Sequence, residues 1–339
     1  MASSPSGALD KSRPEKTFAL VLGGGGLVGL AYHAGVLCAF EDANVATESA
    51  DLIVGTSAGS VIGAYLRNGW TPADLASQTG AVSFLRSAVD KGEPAALDEG
   101  LAQVISPAST SALGIARRAL GSAYVLSRSA LHFPVPQVPG RLARAFPAGM
   151  LSMEAGRQRL EKDLPPEWPL RPLRLTAYDI TRGRRVVMGG PGVSDIELDL
   201  PSAVRASCAV PGVFPPVRSG SHVLADGGVT STTNLDLAAG YQVVLCVAPM
   251  ASAPGSPPGL AARLARTWAS RSVALEAARL RRSGSEVLLI RPTAAEVSTQ
   301  GTNLMRHSGL DLVAECAYDA TVARLASERF RRVVDILAA

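Results

Sequence analysis

The chain has 339 residues, 47% of them apolar and 18% charged, with a net charge of +4. It is long enough to bury a sizeable core, too apolar to be disordered throughout, and too weakly basic to argue for nucleic acid as a partner. No uninterrupted apolar run approaches the roughly 18 residues of a membrane span, so the expectation is a soluble, cytoplasmic protein.

Residues 1–16, "MASSPSGALDKSRPEK", are small, polar and without periodicity. They read as a flexible leader that lacks the apolar centre of a secretory signal. Thr17 to Leu22 is the first strand candidate, followed at once by "GGGG" and by a helical pattern from Leu30 to Asp42. Gly24, Gly26 and Gly29 satisfy Gly-x-Gly-x-x-Gly between a strand and a helix, the local context of a dinucleotide site. That reading needs an acidic residue at the end of the second strand. Glu41 and Asp42 fall at the end of the helix instead. Consecutive glycines can also turn their amides into one concavity, where the positive end of the helix strengthens an anion hole for charge developing on a carbonyl oxygen.

The second strand candidate, Asp51 to Val54, runs into Gly55-Thr56-Ser57-Ala58-Gly59 and then a helix over Gly59 to Arg67. This is the Gly-x-Ser-x-Gly elbow, in which a serine sits on a tight strand-to-helix turn between residues with no side chain to crowd it. A Gly/Ser-rich turn of no chemical consequence is the plain alternative. In a parallel sheet this elbow and the glycine loop can lie side by side.

From about Ala81 to Met150 the pattern becomes helical pieces broken by Gly and Pro, too long for a simple connection, and reads as a helical insertion or lid. A helix over Gly156–Asp163 and strands at Leu173–Asp179, His222–Leu224, Gln242–Val247 and Glu286–Ile290 follow, with helices over Leu260–Arg282 and Leu310–Leu337. Strands alternating with helices predict a three-layer α/β/α architecture on a mostly parallel sheet. Cys38, Cys208, Cys246 and Cys316 stand singly among apolar neighbours and read as buried free thiols. No metal-ligand spacing is present, and neither metal nor cofactor is expected. The arginines of "RLARTWASRSVALEAARLRR" read as a solvated helix face, with seating on anionic lipid as the alternative.

A serine nucleophile needs a proton acceptor. None of the four histidines, His33, His132, His222 and His307, has a distinctive setting, though His307 alone follows the last strand. Asp226 does have one. In "HVLADGGVTSTTN" it follows a short strand, and Gly227 and Gly228 allow a turn that leaves the carboxylate open, although Asp-Gly turns are common.

In this order, "GGGGLVGLAYHAGVL", "GTSAGS" and "ADGGV" resemble the motifs of the patatin-like phospholipase family, and "RASCAVPGVFPPV" resembles the block before its catalytic aspartate. The resemblance spans about Phe18 to Met250. It implies a patatin-type α/β/α fold and a serine acyl hydrolase acting on lipid or other acyl esters through a Ser-Asp dyad without histidine. Carried over by position, Ser57 is the nucleophile, Asp226 the base, and Gly24, Gly25 and Gly26 the oxyanion hole, with Gly55, Gly59, Gly227 and Gly228 shaping the motifs. One departure stands out: Leu27-Val28 occupies the place where many members carry Arg or Lys. A lipid-binding protein without catalysis and a nucleotide-binding oxidoreductase are the rival readings.

Overall fold

A computed structural model describes residues 17–78, 149–190, 192–194, 196–252 and 260–337, with short pieces at 106–107, 111, 113 and 116–121. The expected leader, His132 and nearly all of the expected insertion at 81–150 lie outside the described residues. The strands are β1 (Phe18–Leu22), β2 (Leu52–Gly55), β3 (Ser106–Pro107), β4 (Leu151–Ser152), β5 (Leu173–Asp179), β6 (Arg184–Met188), β7 (Val217–Ser219), β8 (His222–Asp226), β9 (Val243–Val247) and β10 (Glu286–Ile290). The helices are α1 (Gly26–Asp42), α2 (Ala58–Arg67), α3 (Pro72–Gln78), α4 (Glu154–Asp163), α5 (Leu200–Ser207), α6 (Leu260–Arg282), α7 (Ala294–Gln300), α8 (Leu310–Leu325) and α9 (Glu328–Leu337).

β1 reads FALVL and β9 reads VVLCV, apolar at every position and buried at every position. Such runs belong to central strands covered on both faces. Alternate residues divide between the faces. Phe18, Leu20, Leu22 and Ile53 pack with Leu37 of α1, Ile62 of α2 and Val313 of α8. Ala19, Val21, Leu52 and Val54 pack with Val273, Ala277 and Leu280 of α6. The result is helix, sheet, helix, as the alternating pattern predicts, and each fully buried Leu or Ile contributes roughly 1.5–3 kcal/mol.

The sheet order is β10-β9-β1-β2-β5-β8-β7, with β6 on β5 as well. The first five strands are parallel, and β6, β7 and β8 make antiparallel pairs. β5 sets up the functional end of the sheet. Its residues Leu175 to Asp179 pair with β6 along one edge, so β2 and β8 must share the other. There β2 ends with Gly55 opposite Leu175, and β8, running the opposite way, ends with Asp226 opposite Ala177. Two strands thus meet head to head, their last residues about 7 Å apart along β5 at the usual rise per residue.

The helices depart from the sequence reading in several places, and α3 and α7 were not foreseen. α1 begins at Gly26 rather than Leu30, because its first turn is wound directly out of the glycine loop. The expected helix over Leu310–Leu337 is two helices, α8 and α9. α5, unforeseen, is eight residues long and is started by Asp199, whose carboxylate accepts the Ser202 amide at 2.8 Å. All four cysteines are free, but only Cys38 and Cys246 are buried, whereas Cys208 and Cys316 are partly exposed.

Candidate active site

Ser57 stands between β2 and α2 at φ 52° and ψ −120°. A non-glycine residue with positive φ is strained by about 1–3 kcal/mol, and the surroundings must hold it there. They do so on every side. The Ser57 amide donates to Ser207 Oγ at 3.0 Å, and its carbonyl accepts from the Ser60 amide at 2.8 Å, the Ser60 hydroxyl at 2.6 Å and the Cys208 thiol at 3.3 Å. The flanking glycines are sterically required, since a Cβ on Gly59 would lie 2.0 Å from the Leu22 carbonyl oxygen and one on Gly55 2.6 Å from Ser60 Cα.

Beneath the elbow, Asn234 donates from Nδ2 to Thr56 Oγ1 at 3.0 Å and to Thr176 Oγ1 at 3.1 Å. Asn234 is fully buried with φ 51°, a conformation that Asn tolerates better than most residues. It joins the elbow, β5 and the segment after Asp226 through one side chain.

Asp226 is the last residue of β8, and its amide donates to the Ala209 carbonyl at 2.9 Å. Its Oδ1 accepts the Gly228 amide at 2.7 Å, and the residue lines the same cavity as Ser57. Burial raises its pKa from 3.8 to about 6, against the lowering influence of the Ser57 hydroxyl and the Gly228 amide. Gly227 has no room for a Cβ, which would stand 2.3 Å from Thr176 Oγ1.

In the glycine loop the Gly23 amide donates to the Val247 carbonyl at 2.9 Å, and the Gly24 amide to that of Thr232 at 2.8 Å. The Gly24 N–H is therefore already engaged, whereas the other two donors expected there, Gly25 and Gly26, have amides with no acceptor among the described residues. Gly26 sits at φ 62°, with the Leu304 carbonyl 2.6 Å from where a Cβ would be. These amides open the N-terminal end of α1, where the helix dipole is positive.

The histidines are placed elsewhere. His33, fully buried on α1, holds the Gly23 carbonyl at 2.7 Å. Burial lowers its pKa to about 4, so the ring is neutral and Nε2 carries the donated proton. His222 contacts Asp179 at 2.8 Å from the far end of β8, about 13 Å along the strand from Asp226. His307 is exposed in the segment before α8.

Two cavities open on Ser57. One of about 90 Å³ is walled by Leu27, Leu30, Val61, Met153, Leu160 and Phe214. The other, about 580 Å³, holds Asp226, Gly24, Gly25 and Gly26 together with Val229, Met250, Trp268 and Met305. Both are overwhelmingly apolar, and Met305 borders both. Such a site can shield a serine and a carboxylate from water, admit an acyl group, and offer two backbone donors to an oxygen that gains charge. Sequence reasoning missed Ser207, Asn234, Trp268 and Met305. Ser207 lies within "RASCAVPGVFPPV", but no local pattern assigns it a partner 150 residues away. Among the described residues, no group of three or more His, Cys, Asp and Glu side chains could hold a metal ion.

The family model described as patatin-like phospholipase matches residues 20–239. Among solved structures, the chain is similar to VipD from Legionella pneumophila, at 14% identity and a TM-score of 0.45, with 92% of this chain and 67% of that one covered. It is similar to the type III effector protein ExoU at 15% identity and a TM-score of 0.37, with coverages of 95% and 54%. For ExoU in its heterodimeric complex with SpcU, from the type III secretion system of Pseudomonas aeruginosa, the values are 19%, 0.37, 94% and 53%. The chain thus spans about two thirds of VipD and little more than half of ExoU. No curated protein matches it.

Proposed function

The chain belongs to the patatin-like phospholipase family, and from that premise we propose that it hydrolyses carboxylic esters of lipids with Ser57 as nucleophile and Asp226 as base. Members of the family are lipid acyl hydrolases. The observation that carries the proposal is the single apolar cavity lined by both Ser57 and a buried Asp226 carboxylate, beside two unengaged amides.

Ser57 Oγ attacks the ester carbonyl carbon while its proton passes to Asp226. The carbonyl oxygen, now negative, accepts from the Gly25 and Gly26 amides, an arrangement worth about 3–4 kcal/mol per donor where such donors have been removed. The C–O bond to the leaving alcohol breaks, and the alcohol takes the proton held by Asp226. Water then adds to the acyl-serine, giving its proton to the same carboxylate, and the acid departs as Ser57 is reprotonated. Gly24 takes part by shape: its amide, bonded to Thr232, fixes the loop. A carboxylate is a weak base for an alcohol, and the upward shift of Asp226 brings the two closer.

Labelling with a fluorophosphonate, followed by peptide mapping, tests the reading. Modification at Ser57 in the wild type, absent in Ser57→Ala and at least about a hundredfold slower in Asp226→Asn, is expected. A folded protein that takes no label would be a lipid-binding member without turnover.

A further inference from the structure

α6 carries two different sides. Its inward side is fully engaged. Arg266 donates to the Pro249 carbonyl at 3.2 Å and to Gln300 at 2.7 Å, and Glu276 accepts from Thr233 Oγ1 at 3.2 Å and from the Leu235 amide at 2.9 Å. Glu276 is the only acidic residue of the helix, so its outer side holds no negative charge.

On that outer side Trp268, Arg271, Leu275, Arg279 and Arg282 are all exposed. Their spacing of three, four, four and three residues keeps them in one stripe, about 21 Å long at the helical rise. Trp268 is 46% exposed and Leu275 61%. No ion pair engages Arg271 or Arg279 among the described residues, and Arg282 reaches only the Ala278 carbonyl. Trp268 also lines the larger cavity, with Ser57 and Asp226. The stripe therefore begins at the rim of the site and runs away from it.

We propose that this face of α6 seats the protein on an anionic lipid surface, with Trp268 at the headgroup level beside the cavity mouth. The chemistry of each side chain fits that occupant. Tryptophan prefers the boundary between headgroups and chains, leucine enters the acyl region, and arginines keep their stems on the apolar side while pairing with phosphates. A stripe whose two large apolar side chains, Trp268 and Leu275, are interspersed with arginines lacks the contiguous apolar area that a stable protein interface buries. The proposal extends the hydrolase reading by stating how substrate reaches the cavity, and binding itself does not require Ser57 to react.

The test is cosedimentation of the full chain with vesicles of phosphatidylcholine alone and of phosphatidylcholine mixed with phosphatidylglycerol, at low and high salt. Binding to the mixed vesicles that weakens with salt is expected. The double variant Arg271→Glu/Arg279→Glu should bind them at least about tenfold more weakly, yet hydrolyse a water-soluble short-chain ester as the wild type does. Equal binding by wild type and double variant, or no preference for the anionic vesicles, overturns the proposal. So does retention on a soluble polyanion with no vesicle binding. Vesicle binding without ester hydrolysis would sink the hydrolase reading and leave this one standing; hydrolysis without vesicle binding would do the reverse.

Discussion

The carbonyl oxygen of Thr232 accepts the amide of Gly24 at 2.8 Å, so the segment that follows Asp226 holds the glycine loop in place. Base and donors are thereby positioned by one piece of chain, and the amides left for an oxyanion are those of Gly25 and Gly26.

Two glycine substitutions separate fold from chemistry. Gly26→Ala places a methyl 2.6 Å from the Leu304 carbonyl at a positive φ, and should lower stability by about 2 kcal/mol or more as well as abolish hydrolysis. Gly24→Ala puts a methyl 3.3 Å from Ser57 Cβ, a contact that a small shift relieves. Its thermal midpoint should stay close to that of the wild type, while the rate falls about tenfold or more.

The raised pKa of Asp226 acts on rate and stability in opposite directions. The carboxylate is the proton acceptor, so kcat/KM should climb with pH through about 6 and level off above it. In stability terms the folded state holds this proton more tightly than the unfolded chain, whose value is 3.8. The contribution is therefore fully present below pH 3.8 and lost as pH rises to about 6, after which the buried charge costs up to about 3 kcal/mol. Asp226→Asn should be inactive, more stable than wild type at pH 8, and little different at pH 4. Denaturant melts at the two pH values decide it, and an equal difference at both would refute the assignment.

Asn234→Ala removes the donors to Thr56 and Thr176 and leaves alanine at φ 51°. A loss of about 2–4 kcal/mol follows from two buried hydroxyls losing this donor, while keeping each other at 2.9 Å, and from backbone strain. Because Asn234 supports the elbow from beneath and does not line the cavities, kcat should fall with KM nearly unchanged.

Leu160, a buried residue in the wall of the smaller cavity, should set the acyl length accepted on that side of Ser57. Leu160→Ala should shift the optimum of a p-nitrophenyl ester series toward longer chains, at a stability cost of about 2–4 kcal/mol. An unchanged optimum would place the acyl chain in the larger cavity.

His222→Gln and His307→Ala should keep near-normal rates. The Asp179 partner of His222 is pushed up by burial but held below the usual carboxylate range by hydrogen bonds from Thr181, His222 and Arg182. Its stabilising contribution is present near neutral pH and is lost on acidification. Melts of His222→Gln should therefore show lower stability at neutral pH with ester hydrolysis intact.

The fold was legible wherever the cause is local. Continuous apolar runs marked β1 and β9, the alternation of strands and helices marked the layers, and paired glycines marked the elbow because any Cβ there would collide with Leu22 or Ser60. Short elements without a continuous apolar run were not legible. α5 has eight residues and the β6–β7 strands are five and three, too few turns or alternations to stand out from loop sequence. The break at Ala326–Ser327 interrupts a helical pattern that continues on both sides.

By itself the sequence singled out the residues that could carry the chemistry: a serine in an elbow pattern, a glycine run able to present backbone donors, and an aspartate at a strand end. Tertiary structure alone decided how they meet. β5 aligns Gly55 and Asp226 end to end along one edge, Ser207 and Asn234 reach the elbow across 150 and 178 residues of chain, and Thr232 takes the Gly24 amide. It also brings Trp268 and Met305, both beyond the matched family segment, to the walls of the cavity. Periodicity reports a residue's neighbours along one element, whereas register and packing across elements are set by the whole core at once, so no local pattern encodes them.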